Sequence, residues 1–431
     1  MSIVKSGFDE LFSISKNKFA VDSIYLFFMQ FILAVSAILN NIIIGNAYGS
    51  EGLGVFNQVV AFYFIASTFA ALGLNNATLK HASVESNDKS ELKYLLSTNL
   101  YITLISSSII STIIFLSTIY TPFLYSNNLV ARSVTFISVA LPFFGINKNL
   151  LSYLNALRQI KLFSIIRSLR WILLLIVLLI FTRANVSIEY TPLVFAISEI
   201  FLTIALIIIN KDSIGFSFSR KWAKISLSFG IQSFLAEILS ISNDKVDLLI
   251  IGYLLSVKEV GIYSFAVSIA RGILQIPVVF LQNFNPIVAK LWAENKKEQL
   301  NGYVKKIKKF SLIILLPSWF LISILYYILI NYIMINEYAD SFFIFLVLSI
   351  GIFIFSNFSW TGLMLIMGGF LKQNLIRILF MLIFSTTSLF IITSSLGLWG
   401  ATIATSINFI VFSIIQILAL KKIMGINVLN S

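Results

Sequence analysis

The 431 residues contain no cysteine, one histidine, six prolines and only 18 acidic side chains. Without cysteine there is no disulfide, no thiolate metal site and no Cys nucleophile. His81 has no second histidine with which to build a metal site, and a Ser-His-Asp triad would have to rest on it alone. Charged residues make up 11% of the chain, where a soluble protein carries about a quarter. Apolar residues fill the gap: the chain is 58% hydrophobic, with 40 Phe, and its mean hydropathy is +0.94. This is the composition of an all-α polytopic membrane protein. The net charge of +13 does not imply nucleic acid as a partner, because Lys and Arg collect in the cytoplasmic loops of membrane proteins. No cleavable signal peptide is evident. Residues 1–21 mix Lys5, Asp9, Glu10, Lys16 and Lys18 with apolar side chains and read as a short amphipathic helix on the inner surface.

A spanning helix needs about 20 mostly apolar residues. Twelve such runs fit, near 23–45, 53–74, 97–119, 130–147, 165–182, 190–210, 228–252, 261–284, 310–332, 341–366, 375–394 and 398–420. The segments on one side, with Arg167, Arg170 and Arg377 just inside their helices, hold 26 of the 31 Lys and Arg. The opposite loops hold Arg132, Arg183 and Lys258 and are short. The positive-inside rule then predicts a multi-pass protein of the bacterial cytoplasmic (inner) membrane with both termini in the cytoplasm. The longest inner loop is expected at Pro286–Lys309, rich in Lys and open to contact with anionic lipid headgroups.

One segment occurs twice. Ile43-Ile44-Gly45 with Gly54-Val55-Phe56 returns 207 residues later as Ile250-Ile251-Gly252 with Gly261-Ile262-Tyr263. Each copy closes one apolar run, crosses a turn and opens the next. Six spans lie on either side of Lys211–Lys224, so the predicted domains are 1–212 and 213–431, each a six-helix bundle. Because six is even, corresponding helices run the same way: a parallel repeat about an axis along the membrane normal.

Charges within spans are costly, about 2.5–3.5 kcal/mol each on insertion scales, and usually face a cavity. In span seven, Ser233, Glu237, Ser240, Asp244 and Asp247 are spaced by four, three, four and three and fall on one stripe. In span eight, Ser264, Ser268, Arg271, Gln275 and Gln282 do the same. Two such stripes on antiparallel neighbours predict a wet cavity wall, with Arg271 paired to Asp244 or Asp247. A purely structural role, in which the charges neutralise one another, competes with a functional one. In the functional one Arg271, with Ser268, Gln275 and Lys245, binds an anionic substrate group for which Asp244, Asp247 or Glu237 competes. Those carboxylates could equally bind a coupling proton or cation. Lys245 projects about 100° from Asp244 and is expected to snorkel to the outer interface.

Elsewhere Glu199 stands mid-span six with no evident partner, as a local structural or a proton site. It leaves the N-terminal spans nearly free of charge, so the ionisable chemistry is expected in the C-terminal half. Asn40 and Asn41 read as helix–helix glue. His81 reads as a loop residue, and Lys148, Arg158, Lys161, Arg167 and Arg170 as a basic inner mouth. Pro142 and Pro277 should kink spans four and eight.

Asp247-Leu-Leu-Ile-Ile-Gly252, the gap to Gly261-Ile-Tyr263, and Pro286 leading into a Lys-rich stretch resemble the Wzx-type O-antigen and capsule repeat-unit flippases. These form the polysaccharide branch of the multidrug/oligosaccharidyl-lipid/polysaccharide superfamily. The resemblance implies twelve transmembrane helices in two pseudo-symmetric six-helix bundles, MATE-like, open as a V. It implies a polyprenyl-diphosphate-linked oligosaccharide moved from the inner to the outer leaflet for surface polysaccharide synthesis. Arg271 and Lys245 would meet the diphosphate. Asp244, Asp247, Glu237 and Glu199 would couple to H+ or Na+ or gate the path, with no cofactor. The expected partners are that lipid-linked substrate, membrane lipids and a polysaccharide polymerase. The alternative is a MATE-like cation-coupled drug or toxin exporter, which needs a more acidic cavity. An enzyme is disfavoured because no substantial outer loop exists to present catalytic residues.

Overall fold

Two glycines turn long helical stretches into hairpins. The computed structural model describes residues 18–85, 88–122, 125, 127–294, 296–426 and 428; the amphipathic segment expected ahead of residue 18 lies outside them. The helices are α1 (Lys18–Ala71), α2 (Leu74–Val84), α3 (Lys89–Tyr120), α4 (Asn128–Ser138), α5 (Ala140–Ala156), α6 (Ile160–Arg183), α7 (Leu193–Ile209), α8 (Arg220–Leu254), α9 (Val257–Ala293), α10 (Lys297–Tyr332), α11 (Ser341–Met367) and α12 (Leu371–Met424). No strand occurs among the described residues.

Helix α1 has 54 residues, which would run about 80 Å if straight, against about 30 Å of hydrocarbon. It does not run straight. Gly49 adopts φ 72°, ψ −174°, a conformation that side chains with a Cβ rarely reach. Asn57 Nδ2 then donates to Asn41 Oδ1 at 3.0 Å, although sixteen residues of straight helix would hold them about 24 Å apart. Helix α12 folds in the same way at Gly397 (φ 59°, ψ −141°), and Ser388 Oγ reaches Asn408 Oδ1 at 2.8 Å. Each of these two helices therefore supplies two antiparallel spans.

Helices α4 and α5 form one span bent by 47°. The bend follows from Pro142, which has no N–H for the Ser138 carbonyl and whose ring pushes that carbonyl away. Ser111 of span three supplies the missing donor, its hydroxyl 2.8 Å from Ser138 O. With α3 and α6 to α11, the count is twelve spans in two six-helix bundles, as expected. Helix α9 runs on through Pro277 without interruption.

The loops on the basic side are shorter than expected. The Lys-rich stretch after Pro286 is helical up to Ala293 and again from Lys297. Leu300, Val304, Ile307 and Ser311 are buried at spacings of four, three and four, while Lys305, Lys306 and Lys309 project outward and Lys308 donates to Val428 O at 3.0 Å. His81 likewise sits on a helix, α2, with its ring 5.7 Å from Trp222 and 5.8 Å from Phe229.

At the opposite, short-loop end the two copies of the repeated segment cross. A Cβ on Gly54 would run into the Val257 carbonyl, and one on Gly261 into the Ser50 carbonyl. Position 257 is 50 plus 207, and 261 is 54 plus 207, so the two close approaches are reciprocal. Asn57 donates to Ser264, also 207 residues on, at 2.9 Å. Equivalent residues can touch only on their symmetry axis, so this bond marks the pseudo-two-fold. Glu337 seals the same end by accepting from Ser50 N at 2.9 Å and Ser50 Oγ at 2.6 Å, and Asn46 donates to Ile333 O at 3.0 Å.

Gly54→Ala and Gly261→Ala should each destabilise the protein by about 1–3 kcal/mol, because the obstructing atoms are backbone. Gly272→Ala, with nothing within 4 Å of its would-be Cβ, should be neutral or stabilising. Thermal unfolding in detergent gives the comparison.

Candidate functional site

Span seven belongs to both bundles. Its first half docks on the N-terminal bundle: Trp222 Nε1 donates to Glu91 at 2.6 Å, and Ser233 Oγ reaches Gly73 O at 3.2 Å. Its second half faces spans eight, eleven and twelve. The polar stripe is therefore divided between two sites rather than lining one wall.

In the second half Arg271 and Asp247 meet. The guanidinium donates to Asp247 Oδ2 at 2.8 Å and to the Asp244 backbone carbonyl at 2.6 Å. Of the two carboxylates offered by the sequence, Asp247 is the partner; Asp244 contributes its carbonyl and leaves its carboxylate exposed. Tyr263 Oη lies 3.2 Å from Asp247 Oδ2 as a donor and 2.8 Å from Thr405 Oγ1. The Asp247 side chain is 4% exposed and that of Arg271 22%, so the carboxylate is packed away while the cation keeps an open edge. That edge borders a cavity of about 40 Å³ in which Asn243, Ser385, Thr405 and Asn408 stand among Met381, Leu389, Phe409 and Phe412. At about 10–15 Å³ per water the cavity is large enough for a few waters.

The other expected binding residues fall around this pair. Lys245 does not snorkel: its Nζ lies 5.3 Å from the Phe64 ring of span two, because the turn from Asp244 points it across to the other bundle. Ser268 belongs to the crossing, accepting from Asn41 Nδ2 at 3.1 Å and donating to Ser264 O at 2.7 Å. Asn41 thus makes the interhelical bond expected of it. Gln275, one turn beyond Arg271, is exposed. The side chain of Gln282 lies outside the described residues.

Glu237, in the first half of span seven, pairs with Lys148 of α5 and accepts from Asn76 at 3.4 Å. It ties span seven to the N-terminal bundle and stands apart from Arg271. Glu199 is not alone either. Arg170 pairs with it, and Asn147 Nδ2 donates to its carboxylate at 2.8 Å while Thr203 donates to Asn147 Oδ1 at 2.9 Å. The sequence reading put Arg170 just inside a helix end; α6 begins at Ile160, so Arg170 is about 15 Å into the helix. The N-terminal bundle therefore carries its own buried ion pair, and Lys148 and Arg170 leave the expected basic mouth. Arg158 and Lys161 remain near its rim.

The Arg170–Glu199 pair is 13% and 1% exposed. Glu199→Gln or Arg170→Met alone should cost about 3–5 kcal/mol by stranding the other partner, and the double variant Arg170→Met with Glu199→Leu should recover most of it. Arg132→Gln, which breaks a 3.5 Å pair whose Arg is 71% exposed, should cost less than about 1 kcal/mol. Chemical denaturation of the four variants checks the order.

A family model described as polysaccharide biosynthesis protein matches residues 54–343. An uncharacterised membrane protein of Methanocaldococcus jannaschii is 23% identical, over 93% of this chain and 83% of that one. Among solved structures, an inward-facing multidrug resistance transporter of the MATE family superposes with a TM-score of 0.75 at 16% identity, covering 90% of this chain and 95% of that one. The lipid II flippase MurJ, inward closed, gives 0.74 at 16% identity over 93% and 87%. At such identities the likeness is one of fold. The family match covers well over half of the chain, and this protein belongs to the polysaccharide biosynthesis proteins.

Proposed function

We propose that the protein carries a polyprenyl-diphosphate-linked oligosaccharide from the cytoplasmic to the outer leaflet of a bacterial inner membrane by alternating access. The basic end, with both termini, faces the cytoplasm. The observation that carries the proposal is Arg271: a cation with an open edge, beside hydroxyl and amide groups, balanced by one packed carboxylate. A guanidinium suits a diphosphate because its fork makes paired, charge-assisted hydrogen bonds. Sugar hydroxyls would meet Asn, Ser and Thr side chains, while the lipid tail stays in the bilayer.

Coupling follows from competition. When phosphate takes Arg271, Asp247 loses its cation in a poorly solvated site, where an unpaired charge is costly. Uptake of H+ or Na+ by Asp247 relieves that cost and links substrate to ion. Asp244 and Lys245 bracket the pair, Glu237 with Lys148 is the tie that must be rearranged at the inner end, and Glu199 is a second place for a proton. A polysaccharide polymerase would take the delivered substrate. The crossing at Gly54 and Gly261 closes the outer end, as an inward-facing state requires.

A drug-cation exporter is the weaker reading. Asp247, Glu237 and Glu199 are each already matched by Arg271, Lys148 and Arg170, so the buried carboxylates leave little net negative charge for a cationic drug.

In vesicles containing a lipid-linked glycan, Arg271→Ala should lower transfer between leaflets at least tenfold and Arg271→Lys less, with equal protein incorporated. Full transfer by both variants would remove Arg271 from the mechanism; ethidium efflux without glycan transfer would establish the exporter.

The outer seal has its own test. The Ser50 hydroxyl, and then the Ser50 N–H, hold the exposed Glu337 carboxyl below the usual Glu range. A depressed carboxyl stabilises its contact fully above the ordinary pKa, about 4.3, and loses that contribution as pH falls through the lower folded value. Closure should thus hold from neutral pH down to about 4 and weaken below it. Because the chain has no native cysteine, Ser264→Cys reports on the seam without background. Glu337→Gln should raise its labelling from the outer side several-fold at neutral pH. Labelling that stays at the parent level would remove Glu337 from the seal.

A further inference from the structure

At the basic end a second cavity, of about 610 Å³, lies among the start of span one, α2, the turn between α5 and α6, and the start of span seven. Its walls carry Lys80, Arg158, Asp22, Asn76, Asn155 and Phe229. Two cations against one carboxylate leave the lining basic. The Asn155 amide offers a donor and an acceptor, whereas Asn76 is already engaged by Glu237 and Asn75, and Leu26, Leu79, Ile160 and Phe229 make the rest of the wall apolar. Lys80 is already placed, its Nζ 4.2 Å from the Phe229 ring centre.

Arg158 is the informative member. It ends α5 in a left-handed conformation, φ 54°. Gln159 N bonds Leu154 O at 3.0 Å and Arg158 N bonds Asn155 O at 3.0 Å, which is the Schellman pattern. The left-handed position of that motif is normally Gly, since a Cβ there costs about 1–2 kcal/mol. Arg occupies it here, and its side chain lines the cavity. The turn alone does not ask for this residue.

We propose that this cavity is a receptor for a phosphorylated lipid headgroup bearing hydroxyl groups. Arg158 and Lys80 hold the phosphate, the Asn155 amide and Asp22 take hydroxyls, and Phe229 with Leu26 and Leu79 supplies the apolar wall. The site is separate from Arg271, on the other bundle, and is the place where a headgroup docks from the cytoplasmic side. Naming the transported lipid as its source rests on the flippase reading. A bulk anionic phospholipid is the other source, with the same phosphate chemistry.

The test uses the full chain in phosphatidylcholine nanodiscs with two probes taken separately: farnesyl-diphosphate-linked N-acetylglucosamine and phosphatidylglycerol. Arg158→Gly keeps the turn and removes its strain, so the melting temperature should hold or rise. Affinity for the sugar probe should fall about tenfold or more, and Lys80→Gln should act in the same direction. Lys161→Gln, beside Tyr25 and outside the lining, should leave it unchanged. Equal affinity of wild type and Arg158→Gly for both probes overturns the receptor. Arg158-dependent binding of phosphatidylglycerol alone supports it with bulk lipid as occupant. Leaflet transfer by the wild type, measured in parallel, decides the flippase reading separately: a protein that transfers the glycan yet binds it without need of Arg158 leaves that reading standing and removes the cavity.

Discussion

The crossing of spans two and eight, backbone against backbone, is the constraint on which the rest of this structure depends. Gly54 and Gly261 have no side chain at a point where each meets the carbonyl of the other copy, and Asn57 bonds its own counterpart Ser264 on the pseudo-axis. A contact of this kind is made without interlocking side chains. It is tight enough to exclude water and simple enough to come apart, since separation leaves polar groups that can find water. Helix packing in membranes relies on small residues for the same reason: lipid is as apolar as any side chain, so close approach and hydrogen bonds supply the attraction.

The second organising fact is how buried charge is arranged. A membrane interior makes an unpaired charge expensive, and the buried or half-buried carboxylates Asp247, Glu237 and Glu199 each have a cation. The pairs differ in exposure. Arg170–Glu199 is shut inside the N-terminal bundle, with Asn147 donating to the carboxylate and Thr203 to Asn147, the profile of a structural element. Arg271–Asp247 is open on the cation side only. A ligand can reach the guanidinium without first exposing the carboxylate, so this pair can exchange partners where the other cannot. Physical asymmetry thus falls on a scaffold that is symmetric at its crossing.

Much of this was legible from the chain. Twelve apolar runs, the offset of 207 and the alternation of basic loops gave the spans and the parallel repeat, because lipid imposes length and apolarity on every span. The 3.6-residue period brought Arg271 and Asp247 together. What stayed hidden depended on helix ends and on contacts between distant segments. Hydropathy places Arg170 at the rim, but its helix starts earlier, at Ile160. The Lys-rich stretch read as a loop because its exposed lysines outweigh the buried Leu300, Val304 and Ile307 in any average. The helical period alone points Lys245 toward lipid, since nothing in a single helix reveals that Phe64 of another bundle stands opposite. The division of the polar stripe has the same origin, since span seven is one sequence segment serving two bundles.

That shared span gives the molecule a physical route between its two bundles. Span seven is fixed to the N-terminal bundle by Trp222 with Glu91, Ser233 with Gly73 and Glu237 with Lys148, and it carries Asp247 at its other end. Loss of the Arg271 contact leaves Tyr263 as the span-eight partner of Asp247, while the first half of span seven remains bound to the N-terminal bundle. Any movement that separates the bundles must therefore bend span seven or break one of these attachments. If, as we propose, an anionic ligand replaces the Arg271–Asp247 contact, that ligand acts on the helix that links the halves. In the proposed cycle, ligand exchange at the Arg271 pocket and opening of the glycine crossing are in this way parts of a single mechanical problem.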